Sequence, residues 1–94
     1  MKRVTLKGLN RYAEDHNKQN SGDNWTWEDV LFYWAECGNM VNVRDDLDHM
    51  SKKETLIVMD WAAHYCFDST EPIRQQKTYF KIYDAAKDSL MERL

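Results

Sequence analysis

Residues 51–67, SKKETLIVMDWAAHYCF, decide the fold of this chain. Ser51 and Glu54 have the spacing of a capping box, in which each side chain accepts a hydrogen bond from the other residue's backbone N–H group. Apolar residues then cover roughly two thirds of a helical wheel. They are Leu56, Val58, Met59, Trp61, Ala62, Ala63, Tyr65, Cys66 and Phe67. A helix that is apolar on so many sides needs several neighbours. We therefore predict an all-α, compact bundle of about five helices around a central helix near residues 52–67.

The segment before this helix contains a second strong helical pattern. Thr26 is placed to cap a helix from Trp27 to Cys37, and Gly38 has the position of a left-handed residue that closes it. Most apolar residues of this helix share one arc. Phe32 does not, because it lies between Glu28 and Glu36 on the acidic face. An aromatic ring in that setting predicts a contact with a partner rather than with the core.

The other helices follow from weaker signals. Apolar residues at helical spacing predict a first helix over about 6–17, followed by a polar loop over 18–24. Asn42 is a candidate cap for a short helix that carries Val43, Leu47 and Met50 on one face. Pro72 is tolerated in a first turn and predicts a last helix from Ile73 to Leu94. No repeat or β-hairpin signal interrupts the pattern, so we predict a single helical domain over residues 1–94.

Charge is unevenly distributed along the sequence. Residues 1–20 have a formal charge of +3, residues 21–71 of −8 and residues 72–94 of +2. An acidic middle fits a partner with a basic surface, or two halves of the fold that complement each other. We expect a cytoplasmic protein with no membrane association, because Met1, Lys2 and Arg3 precede no apolar segment and no apolar run is long enough to span a bilayer.

Catalytic motifs are missing from the sequence. There is no phosphate loop, dinucleotide fingerprint or nucleophile elbow, so we expect a protein that is not an enzyme and uses no cofactor. The histidines and cysteines lack the spacing of metal ligands, and we predict no metal site. Cys37 and Cys66 are expected to be reduced core residues, although their spacing also allows a disulfide. His64 has Asp60 one turn earlier, which predicts a structural histidine that favours the charged form.

The short third helix contributes a row of carboxylates. Asp45, Asp46 and Asp48 are expected on its exposed side, either as a solvated face or as contacts for lysine and arginine side chains on a partner. They lack the glycine and the distal glutamate of a calcium loop. With the acidic face of the second helix they form a predicted partner-binding surface. Its residues are Glu28, Phe32, Tyr33, Glu36, Asp45, Asp46 and Asp48.

The pattern favours a small protein-binding module. Aromatic anchors inside a charged rim are typical of interface hot spots, and acidic groups steer a basic partner. One version is a phage- or mobile-element-encoded inhibitor, in which carboxylates replace phosphates in the channel of a nuclease or another nucleic-acid enzyme. One alternative is a homodimer or structural protein that self-associates through Phe32. A weaker alternative is direct nucleic-acid binding by Lys2, Arg3, Lys7 and Arg11 together with Arg74, Lys77 and Lys81.

Overall fold

A computed structural model describes residues 6–93 of the chain, apart from the side chains of residues 7, 8 and 10. Every regular element in this part is an α-helix, which confirms the predicted all-α bundle. The helices are α1 (Leu6–Gln19), α2 (Trp27–Glu36), α3 (Met40–His49), α4 (Lys52–Cys66) and α5 (Ile73–Glu92). None of these helices combines the length and the apolar character needed to cross a membrane.

The capping residues of α4 do what their spacing predicts. The Glu54 N–H group donates to Ser51 Oγ at 3.1 Å, and the Ser51 N–H group donates to Glu54 Oε1 at 3.0 Å. At the start of α2, the Thr26 N–H group donates to Asp29 Oδ2 at 2.9 Å. At the start of α4, the N–H groups of Ser51 and Glu54 thereby both have an acceptor. At the start of α2, the Thr26 N–H group has one.

Gly38 ends α2 in the predicted way, with a φ of 81°. The Asn39 N–H group donates to the Trp34 carbonyl at 2.7 Å, and the Gly38 N–H group donates to the Ala35 carbonyl at 3.2 Å. These two bonds form a Schellman motif. Because the chain reverses so tightly here, the next helix begins at once.

The cap of α3 differs from the prediction. Asn39, not Asn42, is the capping residue, and its side chain accepts from the Asn42 N–H group at 3.5 Å. Asn42 lies inside the first turn of the helix. The reason is the Schellman motif, which leaves Asn39 in the first position from which a side chain can cap α3.

Helices α4 and α5 form an antiparallel hairpin. Arg93, just after α5, bonds to Thr55 near the start of α4, whereas Gln76 near the start of α5 bonds to the carbonyl of Asp68 just after α4. Helix α5 also packs against α2 and α3, and α1 packs against α2. The bundle measures 41 × 38 × 19 Å, so it is about two helix diameters thick.

The buried core draws on all five helices. Its members include Leu9, Ala13, Val30, Leu31, Ala35, Val43, Leu47, Val58, Ala62, Ile82, Ala85 and Ala86. Helix α4 contributes only one side to it, because its main packing partner is α5. Leu56 and Phe67, which the helical wheel assigns to the apolar side of α4, are 51% and 65% exposed. The several neighbours expected around α4 are found instead around α5.

Arg93 connects the end of α5 to the corner between α3 and α4. Its guanidinium group donates to the Met50 carbonyl at 2.6 Å and to the Leu47 carbonyl at 3.3 Å. It also donates to the hydroxyl oxygens of Thr55 and Ser89, both at 2.8 Å. The Leu47 carbonyl also accepts from the Met50 N–H group at 3.2 Å, whereas the Met50 carbonyl lies past the last residue of α3. A cation at this C-terminal end interacts favourably with the carbonyls and with the helix dipole.

Both cysteine thiols are free. Cys66 is buried as expected, and burial raises the pKa of its thiol. The expectation of a buried Cys37 is wrong, because Cys37 follows the last turn of α2 and is exposed. The two residues should therefore differ in reactivity.

Replacing Arg93 with Met should lower the free energy of unfolding by about 2–4 kcal/mol, because buried acceptors would lose their charged donor. Urea denaturation followed by circular dichroism would measure the loss. Arg74→Met, on the exposed start of α5, is the matched control and should change stability by less than about 0.5 kcal/mol. Equal effects of the two substitutions would contradict the role given to Arg93.

Alkylation by iodoacetamide at mildly alkaline pH should modify Cys37 at least about tenfold faster than Cys66, because the reactive thiolate is both rare and shielded at Cys66. Peptide mapping by mass spectrometry over time would give both rates. In denaturant the two rates should converge. Faster modification of Cys66 in the folded protein would contradict the burial described here.

Candidate partner-binding surface

Phe32 belongs to a cluster of aromatic rings rather than standing alone on an acidic face. Its ring centroid lies 4.9 Å from that of Tyr79 on α5. Tyr79 stacks on Tyr65 at 4.8 Å and meets Trp61 edge-on at 5.5 Å. We call Phe32, Trp61, Tyr65 and Tyr79 the aromatic cluster. All four side chains are partly exposed, so Phe32 lies outside the buried core, as expected, but contacts other rings of its own chain.

Helical geometry explains why these rings meet. Trp61 and Tyr65 are one turn apart on α4 and adjoin the buried positions Ala62 and Cys66, which face α5. They therefore lie at the edge of the α4–α5 contact. Helix α2 packs against the same part of α5 and brings Phe32 to the other side of Tyr79.

Acidic side chains surround the aromatic cluster. Glu28, one turn before Phe32, and Asp29 line a cleft of about 350 Å³ together with the four rings and Gln75. The pKa of Tyr79 is raised mainly by burial, and then by the negative charges of Glu71, Asp29 and Glu28. We call Glu28, Asp29 and Glu71 the acidic rim.

Within the described part of the chain, no basic residue forms an ion pair with the acidic rim. Among the ion pairs found within residues 6–93, none involves Glu28, Asp29 or Glu71. Glu28 accepts a hydrogen bond from the Thr26 hydroxyl at 3.2 Å, and Asp29 caps α2. The cleft therefore combines aromatic surface with negative charge that lacks a described counterion.

A second depression lies on the other side of Trp61 and Tyr65. Asp60, Ala63 and His64 line it together with those two rings. The His64 ring meets Tyr65 edge-on at 5.2 Å. The predicted pairing of His64 with Asp60 is not among the ion pairs of the described residues.

Two members of the predicted surface lie away from the cleft. Tyr33 contacts Trp25, which stacks on His16 of α1 with ring centroids 3.6 Å apart. Glu36 lines a separate groove with Arg74 and other residues at the start of α5. The 3.6-residue period of α2 turns Tyr33 away from Phe32, whereas Glu36 lies one turn further along the same side of α2, past the end of the cleft.

The carboxylates of α3 do not form one exposed row. Asp45 is exposed, and His49 Nδ1 lies 2.7 Å from its carbonyl oxygen. Asp48 Oδ1 accepts from the Ser89 hydroxyl at 3.1 Å. The expectation for Asp46 is wrong, because its side chain is only 6% exposed and its Oδ2 atom has no hydrogen-bond partner. It lies next to Leu47, on the side of α3 that faces the core.

Burial changes the acidity of Asp46. The pKa of this carboxyl group is raised to about 6, mainly by burial and then by the charge of Asp45. Asp46 therefore belongs to the packing of α3 and is removed from the predicted surface. Asp45 and Asp48 remain, at a site separate from the cleft.

The described basic residues of the alternative nucleic-acid-binding patch lie on two helices, α1 and α5. Helix α1 packs mainly against α2. Arg11 is exposed on α1, while Arg74, Lys77 and Lys81 lie along α5. Lys2, Arg3 and the Lys7 side chain lie outside the described part of the chain.

No protein-family model, curated protein or solved structure matches this chain. Within the described residues, no three His, Cys, Asp or Glu side chains are grouped in a way that could hold a metal ion. The function of this chain has therefore to be inferred from the chemistry of the cleft.

The sequence pattern alone did not identify Trp61, Tyr65 and Tyr79 as surface residues, because all three fit apolar stripes. One signal could have separated them from the core. Tyrosine and tryptophan carry a polar group on an apolar ring and often lie at the edge of a buried stripe, where that group reaches water.

Replacing Asp46 with Asn should stabilise the fold by about 1–3 kcal/mol at neutral pH. The carboxyl group titrates at 3.8 in the unfolded chain and at about 6 in the folded one. Ionised Asp46 therefore destabilises the fold as pH rises from about 4 to above 6, and a neutral amide does not.

Urea denaturation at pH ~7.5 and ~3.5 would measure this difference, which should nearly vanish at the lower pH. Asp15→Asn, at an exposed position of α1, is the control and should have little effect at either pH. A gain for Asp46→Asn that does not depend on pH would contradict the raised pKa.

Proposed function

We propose that this chain is a small, non-enzymatic protein-binding module that uses the aromatic cluster and the acidic rim as its contact surface. The observation that carries this proposal is the cleft, where four partly exposed rings lie beside carboxylates that lack a counterion in the described chain. Aromatic residues supply a large share of binding energy at protein interfaces. The carboxylates would select a basic partner.

Partial burial makes the aromatic cluster suitable for binding. Ring contacts between α2, α4 and α5 hold each side chain in place before a partner arrives. A surface that is already ordered loses little conformational entropy on association. Trp27 also contacts Trp61 edge-on at 5.1 Å and supports it from the α2 side.

The favoured version is an inhibitor or adaptor, phage- or mobile-element-encoded, that acts on a nucleic-acid-handling enzyme such as a nuclease. Such enzymes have basic channels that bind phosphates, and a rim of carboxylates would meet the same lysine and arginine side chains. Rings in the cleft would add contacts that phosphates do not provide. Association would be fastest at low salt, since the rim is exposed to screening.

Affinity capture from nuclease-treated lysate would test this proposal. The rim variant reverses two charges, Glu28→Lys and Glu71→Lys. The matched control, Glu14→Lys with Asp15→Lys, makes the same change of net charge on the exposed side of α1. Wild type and control should retain a common protein, and the rim variant should retain at least about tenfold less of it.

Thermal unfolding would first confirm that all three proteins fold. Equal retention by the rim variant and the control would overturn the proposal, whether both bind or both fail to bind. Capture of the common protein by wild type from untreated lysate but not from nuclease-treated lysate would also overturn it, because the contact would then depend on nucleic acid.

A further inference from the structure

We propose that the cleft lined by Glu28, Asp29, Phe32, Trp61, Tyr65 and Tyr79 binds the side chain of one arginine on the protein partner. This inference rests on the proposed function and adds the chemical identity of the group that enters the cleft. It depends on the charge, the walls and the size of the site.

Charge selects a cation. Glu28 and Asp29 are adjacent in sequence, and both line the cleft, while the charge of Glu71, in the turn before α5, acts on Tyr79. Like charges this close repel one another, so a positive group in the cleft relieves repulsion as well as adding attraction. No described lysine or arginine forms an ion pair with them.

The walls favour an organic cation over a metal ion. Aromatic faces attract cations through the ring quadrupole. A hard metal ion would instead need six or more oxygen ligands, and the polar side chains of this cleft are only Glu28, Asp29 and Gln75 beside the four rings. An ammonium or guanidinium group can contact both the rings and the carboxylates of the cleft.

Between these two groups, the geometry favours guanidinium. Its flat face stacks on aromatic rings, while its edge donates two parallel hydrogen bonds to a carboxylate. Tyr65 and Tyr79 stack on each other with an angle of 21° between their planes, so their facing sides are covered and a guanidinium group would contact an outer face or an edge of the pair. The lysine ammonium is compact and strongly hydrated, so it loses more on entering a cleft walled by rings.

The volume of the cleft also fits one side chain. About 350 Å³ is at the lower end of the range for small-molecule sites, which is enough for a guanidinium group with part of its aliphatic stem. The cleft opens to solvent between α2 and α5, so an arginine that projects from a partner surface could enter it.

The direct test uses N-acetyl-arginine N-methylamide as the probe, with nuclear magnetic resonance on ¹⁵N-labelled protein. N-acetyl-citrulline N-methylamide is the matched control, because citrulline has nearly the shape of arginine but no charge. The arginine probe should cause saturable shifts at the Trp61 indole N–H group and the backbone of α2, with an apparent Kd at least about tenfold lower than that of the citrulline probe.

Protein variants provide the second arm. Glu28→Gln removes one charge from the cleft without changing its shape and should weaken arginine binding several-fold. Glu36→Gln is its control on the same helix, outside the cleft, and should leave binding unchanged. Asp29 is unsuitable for this test because it caps α2.

Equal shifts with the two probes, or no saturable shift at Trp61, would overturn the inference. So would equal effects of Glu28→Gln and Glu36→Gln. These outcomes are distinct from failure of the proposed function. If the rim variant loses its partner but the cleft does not bind the arginine probe, this inference alone is overturned. If the cleft binds the arginine probe but no captured protein depends on the rim, the proposed function alone is overturned.

Discussion

The guanidinium group of Arg93 fixes the corner on which the bundle depends. Helices α3 and α4 meet with almost no loop. The Leu47 carbonyl accepts from the Met50 N–H group, and the Met50 carbonyl lies past the last residue of α3. Arg93 donates to both carbonyls from the far end of α5 and bonds to Thr55 on α4 as well. One side chain thereby sets the position of α5 against two helices, and the alignment of α5 along α4 follows from it.

This alignment gives the α4–α5 hairpin two chemically different ends. The end near Arg93 is polar and includes buried hydroxyl groups such as that of Ser89. The other end is aromatic, where Tyr79 lies against Tyr65 and Trp61. A shift of α5 by one turn would move Tyr79 by about 5.4 Å and separate these rings. The polar end therefore has a structural role, and it holds the rings of the cleft in place.

The acidic residues of the middle segment have several different roles. Asp29 caps a helix, Asp48 accepts a hydrogen bond from α5, and Asp46 is buried with one unpaired oxygen. Glu28 and Glu71 remain beside the aromatic cluster without an ion pair in the described chain. Formal charge along the sequence thus overstates the acidic surface. The carboxylates available to a partner are those left over after capping and packing.

The sequence by itself determined the local structure. The capping box at Ser51 and the left-handed Gly38 are decided by neighbouring residues, so spacing was enough to locate them and to predict the all-α bundle. Only the tertiary structure decided which side of each helix is covered. In the folded chain Asp46 is buried, Leu56 is exposed and the Phe32 ring contacts the Tyr79 ring. All three outcomes depend on which helices pack together. A helical wheel gives the faces of one helix but not the identity of its neighbours.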